Sequence, residues 1–311
     1  MIRKDKQPNV WGDQWRPEGA VDHIVLAAGE RACVVLCNDS DAPMFMLGTN
    51  SSDYRLMPDA NRLDINLADG SELELYRLQG VNTPAQHLTE TVIVMQTHAQ
   101  LKMTTITLGG THVRNNVEVR MYGQECRLQA DGLYLIDREQ QCDNYIFVEH
   151  AQPRCYSREL YKGIIDDSAR ARFNGHVLVQ DGAVKTEAYQ TNRNILLTNK
   201  AHVDTRPFLE IYNDDVKCSH GSTIGQLDDQ AMFYLRSRGI SERTAMTMLS
   251  YAFCDEVIRS IDLPVLRDAV GDMVKKRLHG ELSPSCDDCA IKCTTPCNVE
   301  AANFNIDPSK L

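Results

Sequence analysis

The chain runs to 311 residues with 33 Lys plus Arg against 43 Asp plus Glu, a formal charge of −10 and a pI near 5.4. That balance argues against a general nucleic-acid binder, which would carry a basic face and usually a basic pI. With 42% hydrophobic and 24% charged residues, the composition is that of a globular protein with ample core material rather than a disordered chain.

The opening Met1-Ile-Arg-Lys-Asp-Lys-Gln-Pro is too charged for a secretory signal. Apolar runs such as His23-Ile-Val-Leu-Ala-Ala and Ala32-Cys-Val-Val-Leu-Cys are too short to span a bilayer. The expectation is therefore a cytoplasmic protein with no membrane partner. Residues 1–20 read as an N-terminal segment of poor order, and β-like sequence starts at about Val21.

From there to residue 227 the chain reads as many short strands. Val117-Glu-Val-Arg-Met-Tyr alternates, placing Val117, Val119 and Met121 on one face and Glu118, Arg120 and Tyr122 on the other. Similar runs follow at Leu133-Tyr-Leu-Ile, Tyr145-Ile-Phe-Val, Gly175-His-Val-Leu-Val, Asn194-Ile-Leu-Leu-Thr and Phe208-Leu-Glu-Ile-Tyr. Asp131-Gly132, Asn174-Gly175 and Asp181-Gly182 read as tight turns between them. No helical stretch separates the strands, which excludes a doubly wound sheet and leaves a sandwich, a barrel or a solenoid. Polar residues beside the strands, as in Gln190-Thr-Asn-Arg-Asn, suit stacking between solenoid coils, but the repeats are weak and pattern alone does not rank the solenoid above the sandwich.

After Asp228 the period becomes helical. Asp228 caps a helix that runs to Gly239, and Ser241 caps a second whose apolar positions Ala245, Leu249, Phe253, Val257 and Ile261 fall every four residues, read as one continuous buried stripe. Pro264 opens a third with Leu266, Val270, Met273 and Leu278, stopped at Gly280. Three such helices cannot hide every stripe among themselves, so part of that surface packs on the β domain or on another protein.

Candidate chemistry is sparse. Cys218 and His220, two apart in Cys-Ser-His-Gly, share one face of a strand at about 7 Å backbone separation, a spacing that suits two ligands. A buried small hydrophobe beside a hydrogen-bonded histidine is the plainer reading. Asp214 and Asp215, adjacent on a strand, would point to opposite faces and not converge on one glycosidic bond, so a solvated turn fits better than a carbohydrate-active site. Asn82-Thr-Pro, His87, His98 and His112 show no shared ligand spacing. No phosphate loop, nucleophile elbow or His-Glu-x-x-His occurs. Of the eleven cysteines, four crowd into the last 26 residues, where Cys286, Cys289, Cys293 and Cys297 read C-x2-C-x3-C-x3-C. Four thiolates so close can wrap a zinc ion or an iron-sulfur cluster, although the spacing matches neither the ferredoxin run nor a zinc ribbon.

The run Phe173-Asn-Gly-His-Val-Leu-Val, the stretch from Gln190, the block from Val203 through Asp-Asp-Val-Lys-Cys-Ser-His-Gly to Gly225, and the helix Phe233-Tyr-Leu-Arg-Ser-Arg-Gly-Ile together resemble the SufB/SufD family of the SUF iron-sulfur cluster assembly machinery. Gly221 directly after His220 resembles the SufD branch, since the SufB branch carries an acidic residue there.

The resemblance implies a non-enzymatic scaffold built as a mainly β, right-handed parallel β-helix over residues 21–227. A small C-terminal α-helical domain over 228–280 would dock the ATPase SufC, with Phe233, Tyr234, Leu235, Arg236, Arg238, Ala245, Leu249 and Phe253 among its docking residues. It further implies pairing with SufB and a transient cluster at the SufB interface held by His220 with Cys218 beside it, and leaves a homodimer in isolation as an open alternative. No permanent cofactor is expected outside the cysteine-rich tail, residues 281–311, a candidate zinc or iron-sulfur site that the resemblance does not account for. SufD subunits usually begin with a long helical region, whereas β-like sequence begins here by about residue 21, so functions tied to that region are not carried over.

Overall fold

A computed structural model describes residues 21–37, 54–80 and 86–279. The strands in chain order are β1 (Val21–Leu26), β2 (Arg31–Cys37), β3 (Arg55–Pro58), β4 (Arg62–Leu67), β5 (Glu72–Gln79), β6 (Gln86–Met95), β7 (Gln100–Thr107), β8 (His112–Met121), β9 (Arg127–Ile136), β10 (Gln141–His150), β11 (Tyr156–Ile165), β12 (Arg170–Val179), β13 (Glu187–Leu196), β14 (His202–Ile211) and β15 (Lys217–Gly225). Three helices follow: α1 (Asp229–Ser237), α2 (Glu242–Arg259) and α3 (Pro264–His279).

From β4 onward successive strands alternate between two walls. One is a 7-stranded sheet in the order β1-β4-β6-β8-β10-β12-β14, the other an 8-stranded sheet in the order β15-β13-β11-β9-β7-β5-β2-β3. Every pairing is parallel, and stacked residues sit about one coil apart, as Asn115 and Asn144 do at 29 positions and Glu159 and Gln190 at 31. This is a parallel β-solenoid with a helical C-terminal domain, and the sandwich that strand patterning favoured equally is set aside. The alternation read at Val117, Val119 and Met121 holds, since all three are buried while Tyr122 is exposed.

The expected strand runs are the second halves of longer strands. Leu133-Tyr-Leu-Ile ends β9, Tyr145-Ile-Phe-Val lies in β10, and Gly175-His-Val-Leu-Val ends β12. Two of the three expected turns are corrected by the same finding: Asp131-Gly132 and Asn174-Gly175 lie inside β9 and β12, and only Asp181-Gly182 sits in a turn. These glycines serve packing. A Cβ on Gly132 would fall 2.3 Å from the Tyr161 ring, one on Gly163 2.1 Å from the Tyr134 ring, and one on Gly175 2.2 Å from the Gln190 amide. The coil corners use left-handed residues instead, among them Glu125, Arg154 and Lys185 at φ near +58°.

Two apolar cores follow from the two faces of the 8-stranded wall. Its inner face and that of the opposite wall enclose Leu36, Leu75, Met103, Tyr134, Val148, Phe173 and Val177. Its outer face presents Tyr76, Leu78, Ile106, Leu133, Leu135, Leu160 and Ile164, against which α2 and α3 lay Cys254, Val257, Ile258, Leu266, Val270, Met273 and Val274. The helical stripes thus cover the β domain, one of the two outcomes expected.

The buried face of α2 is Ala245, Ser250, Cys254, Val257 and Ile258, not the strict four-residue series. Leu249 and Phe253 are only half-buried. A strict period of four drifts around a helix of 3.6 residues per turn, so burial must step back to a spacing of three. Asp228 and Ser241 cap α1 and α2 as expected, accepting from Gln230 N at 2.8 Å and Thr244 N at 3.2 Å, and Pro264 opens α3. Arg277 fastens α3 to the coils, donating to the Leu108 carbonyl at 2.9 Å, Asp137 Oδ2 at 2.6 Å and Gln140 Oε1 at 3.3 Å. Among the described residues no helix is long and apolar enough to cross a membrane. Residues 1–20, Asn82-Thr-Pro, Gly280 and the tail cysteines Cys286, Cys289, Cys293 and Cys297 lie outside the described residues.

Candidate functional site

Each coil buries its inward row under the next coil, except at the last. Strand β15 pairs with β13 alone and β14 with β12 alone, so both stand at sheet edges among the described residues. The register runs Cys218 to Ala188, His220 to Gln190, Ser222 to Asn192 and Ile224 to Asn194. Because Ala188, Gln190, Asn192 and Asn194 are buried and face inward, the four residues stacked on them form the inward row of the terminal coil. Cys218 and His220 therefore share a face as expected. Cys218 is half-buried and packs against the inner core, while His220 is exposed. Burial pushes the Cys218 thiol above its ordinary value, opposed by a hydrogen bond from the Ala188 backbone. Ser222 and Thr205 hydroxyls meet at 2.9 Å, joining β15 to β14 across the opening. Asp214 and Asp215 are exposed in the bend between those strands, as the solvated-turn reading has it.

Beneath this row the lumen is polar. Gln190 Nε2 donates to Glu159 Oε2 at 2.7 Å. Asn192 Nδ2 donates to Tyr134 Oη at 3.1 Å and to the Tyr161 carbonyl at 3.2 Å, and Tyr134 Oη donates to Asn194 Oδ1 at 2.5 Å. Deeper in, Asn115 donates to Asn144 at 3.0 Å and exchanges bonds with Gln79 at 2.7 and 3.1 Å. The polar stretch from Gln190 thus stacks between coils, as a solenoid permits. Glu159 is fully buried, and its carboxyl is pushed up to about 8 by loss of solvation, against the lowering effect of the Gln190 hydrogen bond. Sequence reading did not single out Glu159. Its signal is positional, one coil before Gln190, and becomes visible only once the coil length is known.

The other histidines considered from the sequence are tied to single carboxylates on separate coils: His87 to Asp59 at 2.9 Å, His98 to Glu125 at 3.4 Å and His112 to Asp143 at 3.3 Å. Among the described residues no three His, Cys, Asp or Glu side chains come together as a metal site. On the helices, Ala245 is buried, whereas Phe233 and Tyr234 are 74% and 55% exposed. Leu235 is half-buried, Arg236 pairs with Glu242 at 3.4 Å, and Arg238 lies 5.1 Å over the Tyr234 ring. Helix α1 buries no residue, so its aromatics face outward beside two cations.

Residues 12–253 match the family model described as SUF system FeS cluster assembly, SufBD core domain. The chain belongs to the SufBD family. Within it, the iron-sulfur cluster assembly protein SufD of Escherichia coli is 34% identical over 85% of this chain and 62% of its own length. A SufBD family protein of Synechocystis is 30% identical over 83% of this chain and 58% of its own, and one of Mycobacterium leprae 37% identical over 58% and 48%. The SufBD chain thus spans less than two thirds of the length of these relatives, and its likeness is of the SufD type.

Proposed function

We propose that this chain is a non-enzymatic, cytoplasmic scaffold subunit of the SUF machinery that pairs with SufB through its terminal coil and binds the ATPase SufC through α1 and α2. The observation that carries the reading is the position of His220 on the inward row of a coil that nothing covers among the described residues. A polar row ending at an open edge is incomplete by the logic of every coil below it, and a partner strand would complete it. His220 and Cys218 offer one imidazole and one thiol, both competent toward iron. A nascent cluster needs further donors, which this reading draws from SufB, so the cluster is cargo shared across the interface. The exposed Phe233 and Tyr234, with Arg236 and Arg238, offer SufC an aromatic and cationic surface.

Replacing His220 by Ala and reconstituting with SufB and SufC tests the assignment. Because His220 is exposed, the variant folds and assembles normally, and cluster yield measured by visible absorbance and iron content falls at least several-fold. Unchanged yield would remove His220 from the site.

A further inference from the structure

Gln190 lies between the buried Glu159 carboxyl and the exposed His220 in one inward column, being the register partner of both. Its Nε2 is spent on Glu159 at 2.7 Å, while its Oε1 is buried without a hydrogen-bond partner among the described residues. A buried amide oxygen left unpaired is costly unless a donor arrives. The surroundings leave few candidates. On the opposite wall stands Gly175, so close that a Cβ would lie 2.6 Å from that oxygen, and stacked on Gly175 in the terminal coil is Pro207, which has no N–H to give. The Asn192 amide nitrogen is engaged by Tyr134 and Tyr161. The neutral Glu159 carboxyl, whose Oε1 is also buried without a partner among the described residues, has one O–H to give from the inner side, and an amide oxygen has two lone pairs to fill. His220, one strand spacing of about 4.8 Å away, is the donor that remains for the second on the open side.

We propose that Gln190 is a positioning residue for His220: held on its inner side by Glu159, it offers its free oxygen to one imidazole N–H and so leaves the other ring nitrogen bare for iron. An imidazole binds a metal through a lone pair, and the acceptor that holds its other N–H fixes which nitrogen that is. The proposal rests on the reading of His220 as the cluster-facing residue, but its test does not require a cluster.

The full-length, cluster-free chain is labelled with 15N-histidine, His220 is assigned by comparison with His220→Asn, and its tautomer ratio is read by long-range 1H–15N correlation. Gln190→Leu keeps the bulk and loses the acceptor, shifting the tautomer ratio about fivefold, the factor expected of one ordinary hydrogen bond. Gln190→Glu restores an acceptor and recovers the wild-type tautomer ratio. Glu159→Gln, which still offers Gln190 Nε2 an amide oxygen, keeps the wild-type ratio. If Gln190→Leu does not fold, Gly175→Ala displaces the amide from the other wall and takes its place, with the same shift expected. An unchanged ratio in a folded Gln190→Leu or Gly175→Ala variant overturns the proposal. Failure of His220→Ala to alter cluster yield would sink the functional reading while leaving the tautomer result standing, so the two failures are distinguishable.

Discussion

At the scale of single residues, the polar lumen sets the terms. Glu159 is the clearest case, with its carboxyl raised from an ordinary value of 4.5 to about 8 by burial. In the unfolded chain it ionises near its ordinary value, whereas in the folded chain it stays protonated until about pH 8. The contribution of the neutral carboxyl is fully present below the unfolded value and is lost as pH rises to the folded one. Glu159→Gln abolishes this titration, so the stability of the variant relative to wild type should climb from pH 5 to pH 8 and then level off. Thermal melts across that range check it, and a pH-independent difference refutes it. Gly163 makes a second case. A Cβ there would fall 2.1 Å from the Tyr134 ring and 2.5 Å from Asn194 Oδ1, the oxygen to which the Tyr134 hydroxyl donates. Gly163→Ala overpacks a fully buried network and should cost about 1–3 kcal/mol, seen as a lowered denaturation midpoint. A midpoint equal to wild type would mean that the ring can move aside.

At the scale of elements, what could be read before the structure divides along physical lines. The second half of each long strand carries dense apolar alternation and was legible, as at Leu133-Tyr-Leu-Ile. The first half, as in Tyr156-Ser-Arg-Glu, mixes polar inward residues such as Ser157 and Glu159, the latter paired across coils with Gln190, and nothing local marks these as buried. Glycine misled at Gly132 and Gly175 because there it makes room for Tyr161 and Gln190, while Glu125, Arg154 and Lys185 take the left-handed corner positions that glycine was expected to mark. Helix ends were legible because Asp228, Ser241 and Pro264 act within one turn of themselves. What the helices cover was not, since Cys254 and Val270 share a core with Leu135 and Leu160, more than ninety residues away. The same long reach gives an element-level prediction. Arg277 on α3 serves three acceptors on the coils, so Arg277→Ala strands the partly buried Asp137 and the Leu108 carbonyl and should cost about 2 kcal/mol, with faster amide exchange along α3. Arg277→Lys, a single point charge that cannot reproduce a three-point fork, should recover less than half of that loss. Unaltered exchange in the Ala variant would show that the apolar face alone docks α3.

For the whole molecule, the two ends of the outermost coil are not equivalent. Natural edge strands are blunted by proline, lysine or bulges. Strand β14 carries Pro207 at its middle, consistent with a missing N–H on its free side, whereas β15 past Lys217 runs Cys-Ser-His-Gly-Ser-Thr-Ile-Gly with nothing to block a neighbour. Its inward row ends at Ile224, 48% exposed, an apolar side chain placed where a further coil would cover it. On the proposed function, pairing with SufB should run along β15, and Ile224→Glu should weaken it at least tenfold by leaving a charge in the covered row, with the isolated chain as stable as before because the position is open to solvent. His220→Ala should show the converse, intact pairing with reduced cluster yield. Titration of labelled SufB against the two variants separates assembly from chemistry at one edge, and equal affinity of Ile224→Glu and wild type would place the partner elsewhere on the solenoid.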